Sequence, residues 1–111
     1  MAAARDHYRA SLDIFARLAA AYPANTGWER DLSVSRERLG DIAAAAGDLA
    51  AARGHYQAAL DIRTRLVAAA PANTGWQRDL AFIRQRISDL EAASQRSEGG
   101  QPGPNPVTGG S

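Results

Sequence analysis

Cysteine and lysine are both missing from this 111-residue chain. The lack of cysteine excludes disulfides, thiolate metal sites and a cysteine nucleophile. The lack of lysine means that all thirteen basic residues are arginine. With the abundant alanine, this points to a GC-rich coding sequence of bacterial type. The competing reading is arginine chosen for bidentate recognition of phosphate or carboxylate. Residues that favour strands are sparse, which argues against a sheet. No apolar run approaches the length of a membrane span, and Met1–His7 lacks the apolar segment of a secretory signal. A cytoplasmic protein without membrane contact is expected. The net charge of +1 gives no electrostatic case for nucleic acid or an anionic surface.

What is present is a repeat. Pro-Ala-Asn-Thr-Gly-Trp occurs at residues 23–28 and again at 71–76, and the register holds without a gap from His7/His55 to Asp41/Asp89. In that stretch 22 of 35 aligned pairs are identical, at an offset of 48 residues. A regular repeat of this size specifies a stack of similar units, a form commonly used to present a surface to a partner.

The block divides into punctuation. Pro23 and Pro71 stop a helix. Thr26 and Thr74, with Glu29 and Gln77 three residues on, fit capping boxes that start the next one. Gly47 suits a left-handed helix end, and Asp48 suits a cap. These signals predict four helices, over about 3–21, 27–46, 49–70 and 75–95, in one domain spanning residues 1–96. The Gly-, Pro- and Ser-rich residues 97–111 are expected to be a disordered tail.

The second helix carries a narrow stripe of Trp28, Leu32, Ser35, Leu39, Ile42 and Ala46, and the fourth repeats it with Trp76, Leu80, Ile83, Ile87 and Leu90. The third is apolar more broadly, through Leu49, Ala52, Tyr56, Ala59, Leu60, Ile62, Leu66 and Val67, as suits a helix covered on two sides. Asp13/Arg17 and Asp61/Arg65 have the favourable acid-before-base helical spacing. The fold class is therefore all-α, an antiparallel helix-turn-helix repeat stack of four helices.

Residues 33–62 resemble a tetratricopeptide repeat. Leu39-Gly40 falls at that family's Leu-Gly pair, Gly47-Asp48 at its inter-helix turn, and Ala52, Tyr56 and Ala59-Leu60 at its packing positions. The family period is typically about 34 residues, so this chain is a long-helix variant. Thr64 stands where the family has its helix-ending proline, with Arg36 where an aromatic is frequent and Ala43 where a tyrosine is. The resemblance covers one full repeat and two flanking halves, residues 4–93. It implies a non-enzymatic scaffold for a protein or peptide partner, with no cofactor and no small-molecule substrate. By position, its concave face would show Val34, Glu37, Arg38, Asp41, Ala44, Ala45, Phe82, Gln85, Arg86 and Asp89. The best-known subclass grips a C-terminal carboxylate with Lys and Asn. Glu37 and Asp41 occupy those positions here, so Phe82 and Arg38/Arg86 remain as the anchors.

Other candidates have plainer readings. His7 and His55 recur at equivalent places, but nothing at ligand spacing accompanies them, so packing is expected rather than metal or acid-base work. Arg36/Arg38 and Arg84/Arg86 interleave with acids and read as a solvated, salt-bridged face. No catalytic or phosphate-binding set is present. Phe15 departs from the repeat, since its counterpart is Arg63, and Tyr22 corresponds to Ala70. Either Phe15 fills a local gap, or Phe15 and Tyr22 dock another copy in a homo-oligomer. Starting in mid-repeat, the chain also fits the end of a longer array attached to a signalling or effector protein.

Overall fold

The computed structural model describes residues 2–99. Four helices follow in order: α1 (Ala2–Ala21), α2 (Thr26–Ala45), α3 (Leu49–Ala69) and α4 (Thr74–Gly99). Each packs mainly on its sequence neighbours, α1 on α2, α2 on α3 and α3 on α4. Short loops force antiparallel neighbours, so the result is an all-α stack of two helical hairpins, α1/α2 and α3/α4.

The loops work largely as their residues dictate, with one shift. Asn25 and Asn73, not the threonines that follow, supply the capping oxygens. Asn25 Oδ1 accepts from the Gly27 amide at 3.1 Å, and Asn73 Oδ1 from the Trp76 amide at 3.0 Å. Both residue types cap well, and the asparagine lies one position earlier, where its side chain meets the first free amides. Gln77 reaches back to the Pro71 carbonyl, closing the loop rather than the cap. Between the hairpins, Gly47 takes a φ of 82° and Asp48 accepts from the Ala51 amide at 3.1 Å. Thr64 turns its hydroxyl onto the Leu60 carbonyl at 2.8 Å, and α3 runs on to Ala69. Helix α4 continues to Gly99, past the expected end at 95, because Ser94–Glu98 contains no breaker. The rest of the expected tail, residues 100–111, lies outside the described residues.

The core lies along the middle of the stack. Leu39, Ala52, Tyr56, Ala59, Ile62, Leu66, Leu80, Ile83 and Leu90 are its buried apolar residues, with Leu49, Leu60, Val67 and Ile87 packed at the margin. Helix α3 is covered from both sides and supplies most of them. Among its described side chains helix α1 supplies no fully buried one. Trp28 and Trp76 are half-buried at the hairpin ends. Phe15 stacks on Trp28 within its own hairpin, with ring centroids 6.1 Å apart, and is half-buried, while Tyr22 stays exposed.

The α2/α3 junction is unusually close. A Cβ built on Gly40 would meet the Tyr56 ring carbons at 2.5 Å. Only a glycine lets the ring come this close to the α2 backbone, which is the physical content of the Leu39-Gly40 pair. No helix among the described residues is long and apolar enough to cross a membrane.

Candidate functional site

The most constrained chemistry sits beside that junction. Arg63, in the middle of α3, is only 2% exposed. Its Nε donates to Ser33 Oγ at 3.0 Å, and its Nη1 donates to Glu37 Oε1 at 2.9 Å and to the Asp79 carbonyl at 3.1 Å. A buried cation is tolerable only with such partners. Arg63 therefore ties three helices at one point: α2 through Ser33 and Glu37, and α4 through Asp79.

This changes the expected binding surface. Glu37 is buried with Arg63 rather than presented to a partner, because a buried guanidinium requires a counter-charge. Arg38 stays half in solvent, 3.9 Å from Glu37 Oε2, and Val34 is half-buried. The expected Asp61–Arg65 pair does not form. Asp61 accepts from Gln57, and Arg65 reaches Glu29 on α2 at 3.4 Å.

A groove of about 460 Å³ lies between α2 and α4, floored by Leu49 and Tyr56 of α3. Asp41 forms one wall, and Arg86 and Asp89 the other. The Tyr56 hydroxyl donates to Asp41 Oδ1 at 2.5 Å. Burial, and then this bond to a carboxylate, push the Tyr56 phenol well above its ordinary value, so it stays a donor at any physiological pH. Arg86 Nε lies 3.2 Å from the same Asp41 oxygen. Its N–H is not aligned for a hydrogen bond, so proximity of charge holds that contact.

Arg86 also covers the face of Phe82, with its guanidinium carbon 4.6 Å from the ring centroid. Phe82 is 46% exposed. Gln85 donates to Asp89 at 2.8 Å. Of the residues the sequence offered for binding, the groove thus gathers Asp41, Ala44, Arg86 and Asp89, with Phe82 against Arg86. Tyr56 and Leu90 also line it, although their patterns read only as core.

On the other side of α2, a groove of about 310 Å³ is lined by Arg5 and Arg9 of α1, Leu39 and Ile42 of α2, and His55 of α3. Arg36 Nη1 lies 3.3 Å from His55 Nδ1. Arginine can only donate, so Nδ1 accepts and the imidazole is neutral. Burial first, then the charges of Arg36 and Arg9, lower the His55 pKa, and Asp48 opposes them. Among the described residues no three His, Cys, Asp or Glu side chains are grouped to hold a metal. The chain matches no family model, and it matches no curated protein and no solved structure.

Proposed function

We propose that the chain is a non-catalytic binding module of tetratricopeptide-like type, whose α2/α4 groove takes a segment of a protein partner. The observation that carries this reading is the groove itself. Two of its walls come from the equivalent helices of successive hairpins, and its polar groups are already fixed by Tyr56, Asp41 and Arg86. Fixed donors and acceptors lose little freedom on binding. Half-exposed Phe82, held by Arg86, supplies an apolar anchor at the rim, of the kind that dominates binding energies. Asp41 and Asp89 repel a bare carboxylate and favour a peptide carrying an arginine or lysine near an apolar side chain.

Selection from a random peptide display library tests this. Wild-type protein is expected to enrich basic-plus-apolar peptides, and Phe82→Ala/Arg86→Ala is expected to lose them. Enrichment of the same peptides by the double variant would remove the groove from consideration.

A further inference from the structure

The α2/α3 junction has a counterpart that this chain does not use internally. The 48-residue register maps the α2 face that meets α3 onto α4, and the α3 face that meets α2 onto α1. Ser33, Glu37, Gly40 and Ala44 become Ala81, Gln85, Ser88 and Ala92, all exposed on α4. Ala52, Tyr56, Ala59 and Arg63 become Ala4, Tyr8, Ser11 and Phe15 on α1. Ile14 of α1 is 48% exposed where its equivalent Ile62 is 6% exposed. Tyr8, Ser11 and Phe15 are half-buried where Tyr56, Ala59 and Arg63 are buried, so both outer helices leave open part of a face that their inner equivalents cover.

The two uncovered faces also match one another. Four polar contacts cross the α2/α3 junction: Tyr56 to Asp41, Arg36 to His55, Arg63 to Ser33 and Glu37, and the exposed Arg65 to Glu29, which becomes Arg17 with Gln77. The first two are kept residue for residue as Tyr8 with Asp89 and His7 with Arg84, on helices at opposite ends of the stack. In the third all the side chains change together, Arg63 to Phe15, Glu37 to Gln85 and Ser33 to Ala81. An arginine in that place requires an acid, and a phenylalanine requires the acid to be absent. The change on α1 and the change on α4 make sense as one contact. We propose that α4 of one copy stacks on α1 of a second copy in the manner of α2 on α3, with Phe15 against Ala81 and Gln85. The contact shares Asp89 with the groove, as the internal one shares Asp41, but it does not rest on what the groove binds.

The faces differ, so the contact is head-to-tail, and copies add to the stack with concentration unless the rotation between them closes a ring. One position limits it. Ser88 replaces Gly40, and its Cβ prevents Tyr8 from approaching as closely as Tyr56 does. The junction between copies is wider than the internal one and correspondingly weaker.

Sedimentation velocity of the full chain over a concentration series tests the proposal, with circular dichroism to establish that each variant is folded. Wild-type protein is expected to form a concentration-dependent ladder of species. Ala81→Glu, on an exposed face, is expected to weaken association about tenfold or more. Ser88→Gly is expected to strengthen it several-fold, by restoring the close approach. Phe15→Arg should dissociate the stacks, and Phe15→Arg with Ala81→Ser and Gln85→Glu should restore them by rebuilding the internal ion cluster between copies. A wild-type protein that remains monomeric at every concentration overturns the proposal. So does association that is indifferent to Ala81→Glu and Ser88→Gly.

Discussion

Removing the Arg63 side chain tests the energetics of the stack most directly. In Arg63→Ala the Glu37 carboxylate, only 5% exposed, loses its buried counter-charge and keeps only half-exposed Arg38 at 3.9 Å, and the Asp79 carbonyl and Ser33 hydroxyl lose a donor. Breaking a buried pair from one side costs about 3–5 kcal/mol, because the remaining ion keeps its desolvation penalty without the compensating attraction. The total stability of a domain is about 5–15 kcal/mol, so the change removes a large share of it. In heat unfolding followed by circular dichroism, the midpoint should fall by about 10 °C or more. The instructive comparison is the triple change Arg63→Phe, Glu37→Gln and Ser33→Ala, which imports the residues of the other repeat positions. It removes both charges together and adds apolar volume, and replacing a buried pair in this way is often neutral or stabilising by about 1–4 kcal/mol. The single variant should therefore be much less stable than the triple one. If Arg63→Ala costs less than about 1 kcal/mol, as an exposed pair would, the buried cluster is not what holds the two hairpins together.

Three further tests address other parts of the stack. Gly40→Ala and Gly54→Ala place the same methyl group in neighbouring helices, but at Gly40 it meets the Tyr56 ring and at Gly54 it meets nothing within 4 Å. The first should destabilise by about 1–3 kcal/mol and the second stabilise by about 0.5–1 kcal/mol; equal denaturant midpoints would contradict the junction geometry. Asn73→Ala should cost about 1 kcal/mol in urea unfolding, and Thr74→Ala clearly less; the reverse order would move the cap back to the threonine. His55 is held below its reference pKa of 6.5, mainly by burial and then by Arg36. Its contribution to stability is thus complete above 6.5 and is lost as pH falls toward the folded value, because the unfolded chain binds the extra proton more readily. Arg36→Ala should raise the His55 pKa seen by NMR while leaving it below 6.5, and an unchanged value would exclude the arginine as a cause.

The helices were legible in the sequence because proline, asparagine and glycine recur at fixed places in a 48-residue frame, so two copies report each boundary. The exact cap was not, since Asn25 and Thr26 are adjacent and both are good capping residues. Arg63 was the larger omission. An arginine in a helix ordinarily reads as solvated, and nothing local distinguishes it from Arg65, two positions on and exposed. The only clue was that its counterpart is Phe15, which is the residue type expected for a covered position. Once Arg63 is buried, Glu37 must follow it, so the surface expected from position alone lost one of its acids. Asp41, Arg86 and Asp89, which the resemblance assigned to a concave face, lie on the groove walls, whereas Tyr56 was visible only as an apolar ring. Its hydroxyl gained meaning from Asp41 on the adjacent helix, a contact that periodicity within one helix does not reveal.

The threefold grip of Arg63 bears on how the chain comes apart. In a linear array, unfolding is set by the ratio of each unit's own stability to the coupling between neighbours. Here part of that coupling runs through one guanidinium, which belongs to the second hairpin and donates two of its three hydrogen bonds to the first. If the first hairpin frays, Arg63 loses Ser33 and Glu37 and keeps only the Asp79 carbonyl and water. Partial unfolding from that side therefore carries the added cost of these contacts, which raises the cooperativity between the two hairpins.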